Sequence, residues 1–191
     1  MQIVLANLED TDKFAKIAAK TLLEQKEMTQ NEKGNFLHNL YLLGEMGMGK
    51  TTFTRSFVGA LPGAENAEVA SPSFTICHEY PTSPEIYHAD LYRLPDQIDL
   101  PEELQDLGRN TLLVLEWGER LHEEAKAPDR LEILFTKENL NPAEKNTSEN
   151  IDNFVNICEL KRHVNLAAHG NIAHEFLQLL TKNLQNCSLC Q

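Results

Sequence analysis

The sequence predicts an α/β fold, with a mixed sheet flanked by helices, and three observations support this prediction. Two strongly apolar segments, 37–43 and 111–115, have the continuous hydrophobic character of strands that are covered on both faces. A glycine-rich turn at 44–49 follows the first of these strands. Apolar residues at helical spacing alternate with the strands along the chain, in segments 11–25, 50–60 and 171–184. Such alternation is typical of layered α/β domains.

The remaining elements are predicted from local patterns. Segment 2–5 indicates an opening strand, and Asp10 or Thr11 is expected to cap the first helix, because a short oxygen-bearing side chain accepts bonds from the free amides of the next turn. Further strands are predicted at 74–80, 86–89, 131–136 and 154–160, a short helix at 101–107, and polar loops at 27–35 and 139–152. We expect a single domain over residues 1–184 and a frayed tail over 185–191.

The composition is that of an ordinary globular protein. Of 191 residues, 41% are hydrophobic and 24% are charged, as is typical of folded domains. Seventeen Lys and Arg residues against 29 Asp and Glu residues give a formal net charge of −12. Because nucleic-acid affinity comes largely from basic residues that displace counterions, we expect no strong direct binding of RNA or DNA. A partner protein can still carry the nucleic acid.

The sequence gives no sign of a targeting or membrane segment. Its first ten residues lack a basic region followed by a long apolar run, and no stretch approaches the ~18 apolar residues that suggest a membrane span. We therefore expect a cytoplasmic protein. Cys187 and Cys190 have the spacing of half a zinc site, but a zinc site normally needs four ligands, so we interpret them as part of the tail.

The segment between the first apolar strand and the next helix has the pattern G-x-x-x-x-G-K-[ST] of a phosphate-binding P-loop. It reads Gly44-Glu45-Met46-Gly47-Met48-Gly49-Lys50-Thr51. Glycines let the backbone wrap closely round phosphate oxygens, and the N-terminus of the following helix presents free amides to the same anion. Lys50 supplies a positive charge for the phosphates, and Thr51 a hydroxyl for Mg²⁺. The motif predicts a P-loop nucleotide triphosphatase.

Two carboxylates end predicted strands and are candidates for the magnesium-side acid that such an enzyme needs. Glu116 follows the strongly apolar segment 112–115, and Asp90 follows 86–89. If these strands run parallel to the one before the P-loop, their carboxyl ends share its edge. We assign Glu116 to the metal and Asp90 to orienting the attacking water. The alternative for each is a solvated cap of the next loop.

The base is predicted to be adenine. Guanine-specific P-loop proteins usually carry an [NT]-K-x-D element, and the nearest segment here, Thr136-Lys137-Glu138-Asn139, lacks the aspartate. We therefore expect ATP with Mg²⁺. The predicted nucleotide-binding residues within and after the P-loop are Gly44, Glu45, Met46, Gly47, Met48, Gly49, Lys50, Thr51 and Thr52.

Several motifs together resemble the bacterial TsaE (YjeE) family over most of residues 1–184. These motifs are the P-loop, Ser71-Pro72-Ser73-Phe74-Thr75, His88-Ala89-Asp90-Leu91-Tyr92-Arg93-Leu94 and Glu116-Trp117-Gly118-Glu119-Arg120-Leu121. The P-loop is generic, whereas its combination with D-L-Y-R-L and E-W is specific. The sequence departs from the family pattern at Glu45, where aspartate is usual, and at Ser73, where threonine is common.

The resemblance implies an ATPase that supports synthesis of threonylcarbamoyl adenosine in tRNA with the partners TsaB and TsaD, and whose hydrolysis is slow until they engage. It implies that Asp90 matters for hydrolysis and that Trp117 lies beside the nucleotide. It also implies that Thr11 lies close to the adenine, and that Ser73 and Thr75 belong to a loop that responds to the γ-phosphate. For Trp117 the alternative is an ordinary core aromatic.

Two other functions use the same P-loop. A small-molecule kinase would usually add a lid with several arginines to clamp the transferred phosphoryl group, but the chain has only six arginines and no cluster of them. A nucleotide-dependent binding module would need no turnover, whereas Lys50 and two strand-end acids favour hydrolysis. The sequence therefore favours an ATPase, and the resemblance implies that partner proteins stimulate it.

Overall fold

The structure, a computed structural model, describes residues 1–28, 35–66, 76–137 and 161–187. The strands of these residues form one sheet and are β1 (Gln2–Leu5), β2 (Asn39–Leu43), β3 (Cys77–Tyr80), β4 (Glu85–Asp90), β5 (Thr111–Glu116), β6 (Arg130–Lys137) and β7 (Arg162–His169). The α-helices are α1 (Leu8–Met28), α2 (Lys50–Gly59) and α3 (Asn171–Gln185). Short 3₁₀ turns lie at Ala64–Asn66, Glu102–Leu104, Gly118–Arg120 and Glu123–Ala125.

The sheet is mixed, with parallel strands at its centre and antiparallel strands at both sides. Its order is β1-β7-β6-β2-β5-β4-β3. Strands β6, β2, β5 and β4 are parallel, whereas β7 and β3 pair antiparallel with their neighbours. Glu116 at the end of β5 is level with Leu42 of β2 and with Asp90 of β4. The carboxyl ends of three strands therefore meet at one edge of the sheet, where α/β proteins bind ligands.

Both faces of the central strands are buried, which explains their uninterrupted apolar sequence. Leu40 and Leu42 of β2 face a large core that contains the buried side chains of all three helices. Tyr41, between them, faces a second core with Leu113 and Leu115 of β5. The second core is closed by the segments that follow β4 and β5.

A chain of aromatic contacts fixes α2 behind the sheet edge. The Phe53 ring of α2 lies 5.2 Å from Phe14 of α1 and 6.0 Å from Phe135 of β6, between ring centroids. All three rings are buried. Rings in tilted or edge contact at these distances attract one another beyond the gain from burial. These contacts hold the first turn of α2 against α1 and β6.

The predicted α/β class and mixed sheet are confirmed, and six of the predicted strands have counterparts in it. The helix predicted at 101–107 is wrong, because only the 3₁₀ turn Glu102–Leu104 forms before the Gln105 side chain donates to the Leu100 carbonyl. Strand β7 was not predicted. The predicted loop at 139–152 and strand at 154–160 lie outside the described residues.

The predicted cap of the first helix is also wrong. The helix begins at Leu8, and the Asn7 Oδ1 atom accepts the Asp10 amide at 2.9 Å. The Asp10 carboxylate accepts the Ala6 amide at 2.9 Å, so it lies inside the first turn, where a negative charge favours the helix dipole. Thr11 is the next residue of the helix. Among the described helices, none is long and apolar enough to cross a membrane.

Candidate functional site

The P-loop has the backbone that its glycines were predicted to provide. Gly44, Gly47 and Gly49 have φ values of 118°, 78° and 103°, which side chains with a Cβ rarely adopt. A Cβ on Gly44 would also lie 2.2 Å from the Phe135 carbonyl oxygen. Gly49 precedes α2, which has no side-chain cap and no acidic residue in its first turn. These features leave the helix N-terminus suited to an anion.

Lys50 lies folded back against this loop. Its ammonium donates to the carbonyl of Gly44 and, at 3.0 Å, to that of Glu45. The residue is only 4% exposed, and burial lowers the pKa of Lys50, an effect opposed by Glu116 and by other nearby carboxylates. The P-loop therefore holds a nearly buried cation whose bonds to carbonyls can be exchanged for bonds to a phosphate.

Glu116 is buried at the end of β5 with both carboxylate oxygens bound. The Thr51 hydroxyl donates to Oε2 at 3.1 Å, and Oε1 lies 2.9 Å from His88 Nε2. The predicted proximity of Thr51 and Glu116 is thus present, with a hydroxyl and a carboxylate side by side. These are the oxygen ligands that Mg²⁺ takes in proteins. Within the described residues no group of three or more acidic, His or Cys side chains forms a metal cluster.

Asp90 ends β4 beside Glu116 and is partly buried. Its Oδ1 atom accepts the Tyr92 amide at 2.9 Å. Burial raises the pKa of Asp90, and the neighbouring Glu116 raises it further, although the Tyr92 bond acts in the opposite direction. The structure therefore places the two strand-end acids at one edge of the sheet, near Lys50, as the sequence predicted.

Trp117 continues from β5 into this site in a left-handed conformation with φ of 63°. Its amide donates to the Leu42 carbonyl at 3.0 Å. The ring centroid lies 4.1 Å from the Lys50 ammonium, 5.6 Å from the Arg120 guanidinium carbon and 5.0 Å from the Tyr92 ring. Trp117 packs against the second core and contacts the P-loop lysine, and its position beside a nucleotide stays a prediction.

The other predicted nucleotide-binding residues have different environments. Met46 is exposed and Met48 is buried in the large core, so their predicted contribution rests on backbone amides. Thr52 is half-buried in the first turn of α2.

Thr11, which lies outside the P-loop, is buried, and its hydroxyl donates to the Asn7 carbonyl at 3.3 Å. Its position beside an adenine stays a prediction. Ser73 and Thr75 lie outside the described residues.

Three side chains at the site were not predicted. Arg162 of β7 is buried, and its Nε atom would lie 3.7 Å from a Cβ on Gly49. Glu119 is exposed and its Oε1 atom accepts the Gly44 amide at 3.2 Å. His88 contacts Glu116 as described. Val164 and Leu166 alternate with polar residues, a pattern that indicates a strand, whereas the sequence has no comparable signal for His88 or Glu119.

The site as a whole fits a nucleoside triphosphate with a magnesium ion. The glycine backbone, the helix N-terminus and the Lys50 ammonium would hold phosphates. The hydroxyl of Thr51 and the carboxylate of Glu116 would hold the metal. Mg²⁺ typically takes one or two carboxylates and completes its octahedron with phosphate oxygens and water, so the small number of protein ligands agrees with it.

Comparison with known proteins yields a family and several relatives. The family model described as threonylcarbamoyl adenosine biosynthesis protein TsaE matches residues 5–147. The tRNA threonylcarbamoyladenosine biosynthesis protein TsaE of Rickettsia felis is 37% identical over 123 residues, which are 61% of this chain and 62% of that protein. The protein of the same name from Bacillus subtilis is 35% identical over 131 residues, 67% of this chain and 80% of that protein. The chain thus spans somewhat less than two thirds of the Rickettsia felis relative.

A solved structure agrees with this result. The crystal structure of YdiB from Bacillus subtilis superposes with a TM-score of 0.62 and covers 95% of this chain and 94% of its own. The two sequences are 25% identical. The agreement over nearly the full length supports the P-loop arrangement of the mixed sheet.

Proposed function

Because the chain belongs to the TsaE family, we propose that it binds ATP with Mg²⁺ and hydrolyses it in support of threonylcarbamoyl adenosine formation in tRNA. The observation that carries this proposal is the 3.1 Å bond between Thr51 and Glu116. It joins the residue after the P-loop lysine to the acid at the end of the neighbouring strand. A P-loop enzyme needs both groups for its magnesium ion.

The remaining roles follow from position and charge. Lys50 and the loop amides bind the phosphates, and Arg162 adds a second cation beside Gly49. Bound Mg²⁺ neutralises charge that develops on the phosphate oxygens. Asp90, at the same edge of the sheet, orients the attacking water. Its elevated pKa makes it a better proton acceptor than an ordinary aspartate, provided that it is ionised.

We further propose that the chain acts in the cytoplasm and that its partners TsaB and TsaD stimulate hydrolysis. Two contacts oppose ATP binding by the isolated chain, which lowers its turnover when ATP is not saturating. The Lys50 ammonium is occupied by two loop carbonyls, and the Glu119 carboxylate lies against the first amide of the P-loop. ATP has to displace both, and a partner that withdraws Glu119 would make this easier. The net charge of −12 favours delivery of tRNA by the partners.

The proposal is tested by measuring Mg²⁺-dependent ADP release by the chain alone and with TsaB and TsaD added. We expect slow release that the partners accelerate, and no release by Lys50→Ala. The variant also requires a folding check by circular dichroism, since Lys50 is nearly buried. Turnover that is the same with and without the partners would contradict stimulation. Phosphoryl transfer to a small molecule in place of water would favour the kinase alternative.

A further inference from the structure

A buried histidine lies behind the proposed magnesium-side acid. His88 of β4 is 0% exposed, and its Nε2 atom is 2.9 Å from Glu116 Oε1. The other oxygen of the same carboxylate, Oε2, receives the Thr51 hydroxyl at 3.1 Å. The carboxylate is therefore held from two sides, by the predicted metal ligand and by a residue of the adjacent strand.

The chemistry of Glu116 decides the direction of its hydrogen bond with the His88 ring. An ionised carboxylate only accepts hydrogen bonds, so His88 Nε2 is the donor. Within the described residues, the other nitrogen, Nδ1, has no hydrogen-bond partner. Within the described residues, the bond to Glu116 is therefore the one hydrogen bond that the buried imidazole ring makes.

Packing alone does not explain a histidine at this position. Burying a polar group with an unsatisfied nitrogen costs free energy that an apolar side chain of similar shape would not incur. The ring contacts Tyr80, with centroids 6.3 Å apart, and phenylalanine could make that contact equally well. The bond to Glu116 is what distinguishes histidine from such a residue.

We propose that His88 is a positioning residue for the metal site: its Nε2–H donor fixes the Glu116 carboxylate with Oε2 turned toward Thr51. The inference rests on the proposed function. Without the donor, one oxygen of a buried carboxylate lacks its partner, and the carboxylate is free to rotate away from the Thr51 hydroxyl. Hydrogen bonds from outer residues commonly orient metal-binding side chains in this way.

The test is the affinity of Mn²⁺ for the chain with bound ADP, measured from the electron paramagnetic resonance signal of free Mn²⁺. His88→Gln places an amide donor near the position of Nε2, whereas His88→Asn places it too far back to reach Glu116. His88→Phe keeps the ring volume but has no donor. The matched control is His78→Asn, since His78 is the register partner of His88 on β3 and is half-buried.

We expect His88→Asn and His88→Phe to weaken Mn²⁺ binding by about 10- to 100-fold, as is typical when an outer partner of a metal ligand is lost. His88→Gln should recover most of the affinity, and His78→Asn should not change it. ADP binding without metal should stay intact in all four variants, which separates loss of the metal site from loss of the P-loop. Thermal unfolding identifies any variant that does not fold, and either the Asn or the Phe variant is sufficient for the test.

Folded Asn and Phe variants with unchanged Mn²⁺ affinity would overturn the assignment of His88 while leaving the proposed function in place. A glutamine variant as defective as the phenylalanine variant would show that the donor is not what matters, and would overturn it too. An unmodified chain that binds ADP but no Mn²⁺ would overturn the metal site itself, and the proposed function with it.

Discussion

The Lys50 ammonium lies 4.1 Å from the centroid of the Trp117 ring, so the P-loop lysine and the aromatic residue after β5 form a cation–π pair. Arg120 approaches the same ring, with its guanidinium carbon 5.6 Å from the centroid. Contacts of this kind stabilise a cation without neutralising it. The Lys50 ammonium therefore lies beside the expected phosphate site, in contact with the fluorescent Trp117 ring.

The fluorescence of Trp117 should therefore report nucleotide binding. The chain has a single tryptophan, and phosphates that draw the ammonium from its ring will change its emission. We expect a saturable change on titration with ATP and Mg²⁺. Lys50→Ala should differ in emission before nucleotide is added and should lose the response, whereas Lys20→Ala, on the exposed side of α1, should behave as the unmodified chain. A full response in Lys50→Ala would contradict the pair.

Replacing Thr51 by valine should remove the metal site while keeping the shape of the side chain. The change deletes the hydroxyl that contacts Glu116 Oε2 and leaves a buried carboxylate oxygen without its donor. We expect the Mn²⁺ affinity of the ADP complex to fall by more than the roughly 10- to 100-fold typical of losing an outer partner. Thr51→Ser retains the hydroxyl and should retain the affinity. Equal affinities for the two variants would exclude Thr51 as a ligand.

Asp90→Asn should stabilise the fold at neutral pH and slow hydrolysis. Burial raises the pKa of Asp90 above its ordinary value of 3.8. A carboxyl group whose pKa is higher when folded contributes stability that is complete below the unfolded pKa and is lost as the pH rises through the folded pKa. At pH 7 the ionised group therefore opposes folding, and asparagine, which can still accept the Tyr92 amide, removes that opposition.

The corresponding measurement is the Tm of Asp90→Asn and of the unmodified chain between pH 7.5 and pH 4. The Tm advantage of the variant should shrink as the pH falls, because Asp90 becomes protonated in the unmodified chain. ADP release with Mg²⁺, measured at pH 7.5, should be slower in the variant. A variant that is less stable at pH 7.5, or that hydrolyses ATP at the unmodified rate, would contradict the role given to Asp90.

Two glycines of the P-loop should differ sharply in their tolerance of alanine. A Cβ on Gly44 would lie 2.2 Å from the Phe135 carbonyl oxygen, whereas no atom of the described residues lies within 4 Å of one on Gly47. Gly47→Ala should therefore cost only about 1–2 kcal/mol for its left-handed backbone. Gly44→Ala also forces β6 to move away from the new methyl group, so it should lower the free energy of unfolding by more than about 2 kcal/mol. Urea denaturation without nucleotide measures both; equal losses would contradict the close contact with β6.

The site residues that the sequence predicts are those whose roles follow from short motifs or from a position at the end of one strand. Lys50 and Thr51 follow from the spacing of the P-loop, and Glu116 follows from its place after an apolar strand. The contributions of His88 and Arg162 depend on which strands are neighbours, since His88 reaches Glu116 across the β4–β5 pairing and Arg162 reaches Gly49 from β7. A single sequence carries little information on strand order, so the place of these two side chains in the site could be recognised only in the structure.

The errors in the predicted elements have similar causes. The helix at 101–107 was predicted from the local pattern alone, but Leu104 is buried in the second core and the chain turns there. The cap of α1 was placed too late because Asn7 and Asp10 both offer suitable oxygens, and only the bonds of the folded chain distinguish them. In strand β7, Val164 and Leu166 alternate with polar residues, but the strand was predicted in the more apolar segment 154–160 that directly precedes it.

Because β1 pairs with β7, the sheet cannot be completed until β7 has been translated. Ile3 pairs with Val164, so the ladder joins parts of the chain about 160 positions apart and folding has to close a very long loop. Proteins dominated by such distant contacts fold slowly, and a ribosome-bound chain that lacks β7 also lacks Arg162 beside the P-loop. Nascent chains should therefore acquire Arg162 beside the P-loop, and the partner strand of β1, only after translation of β7.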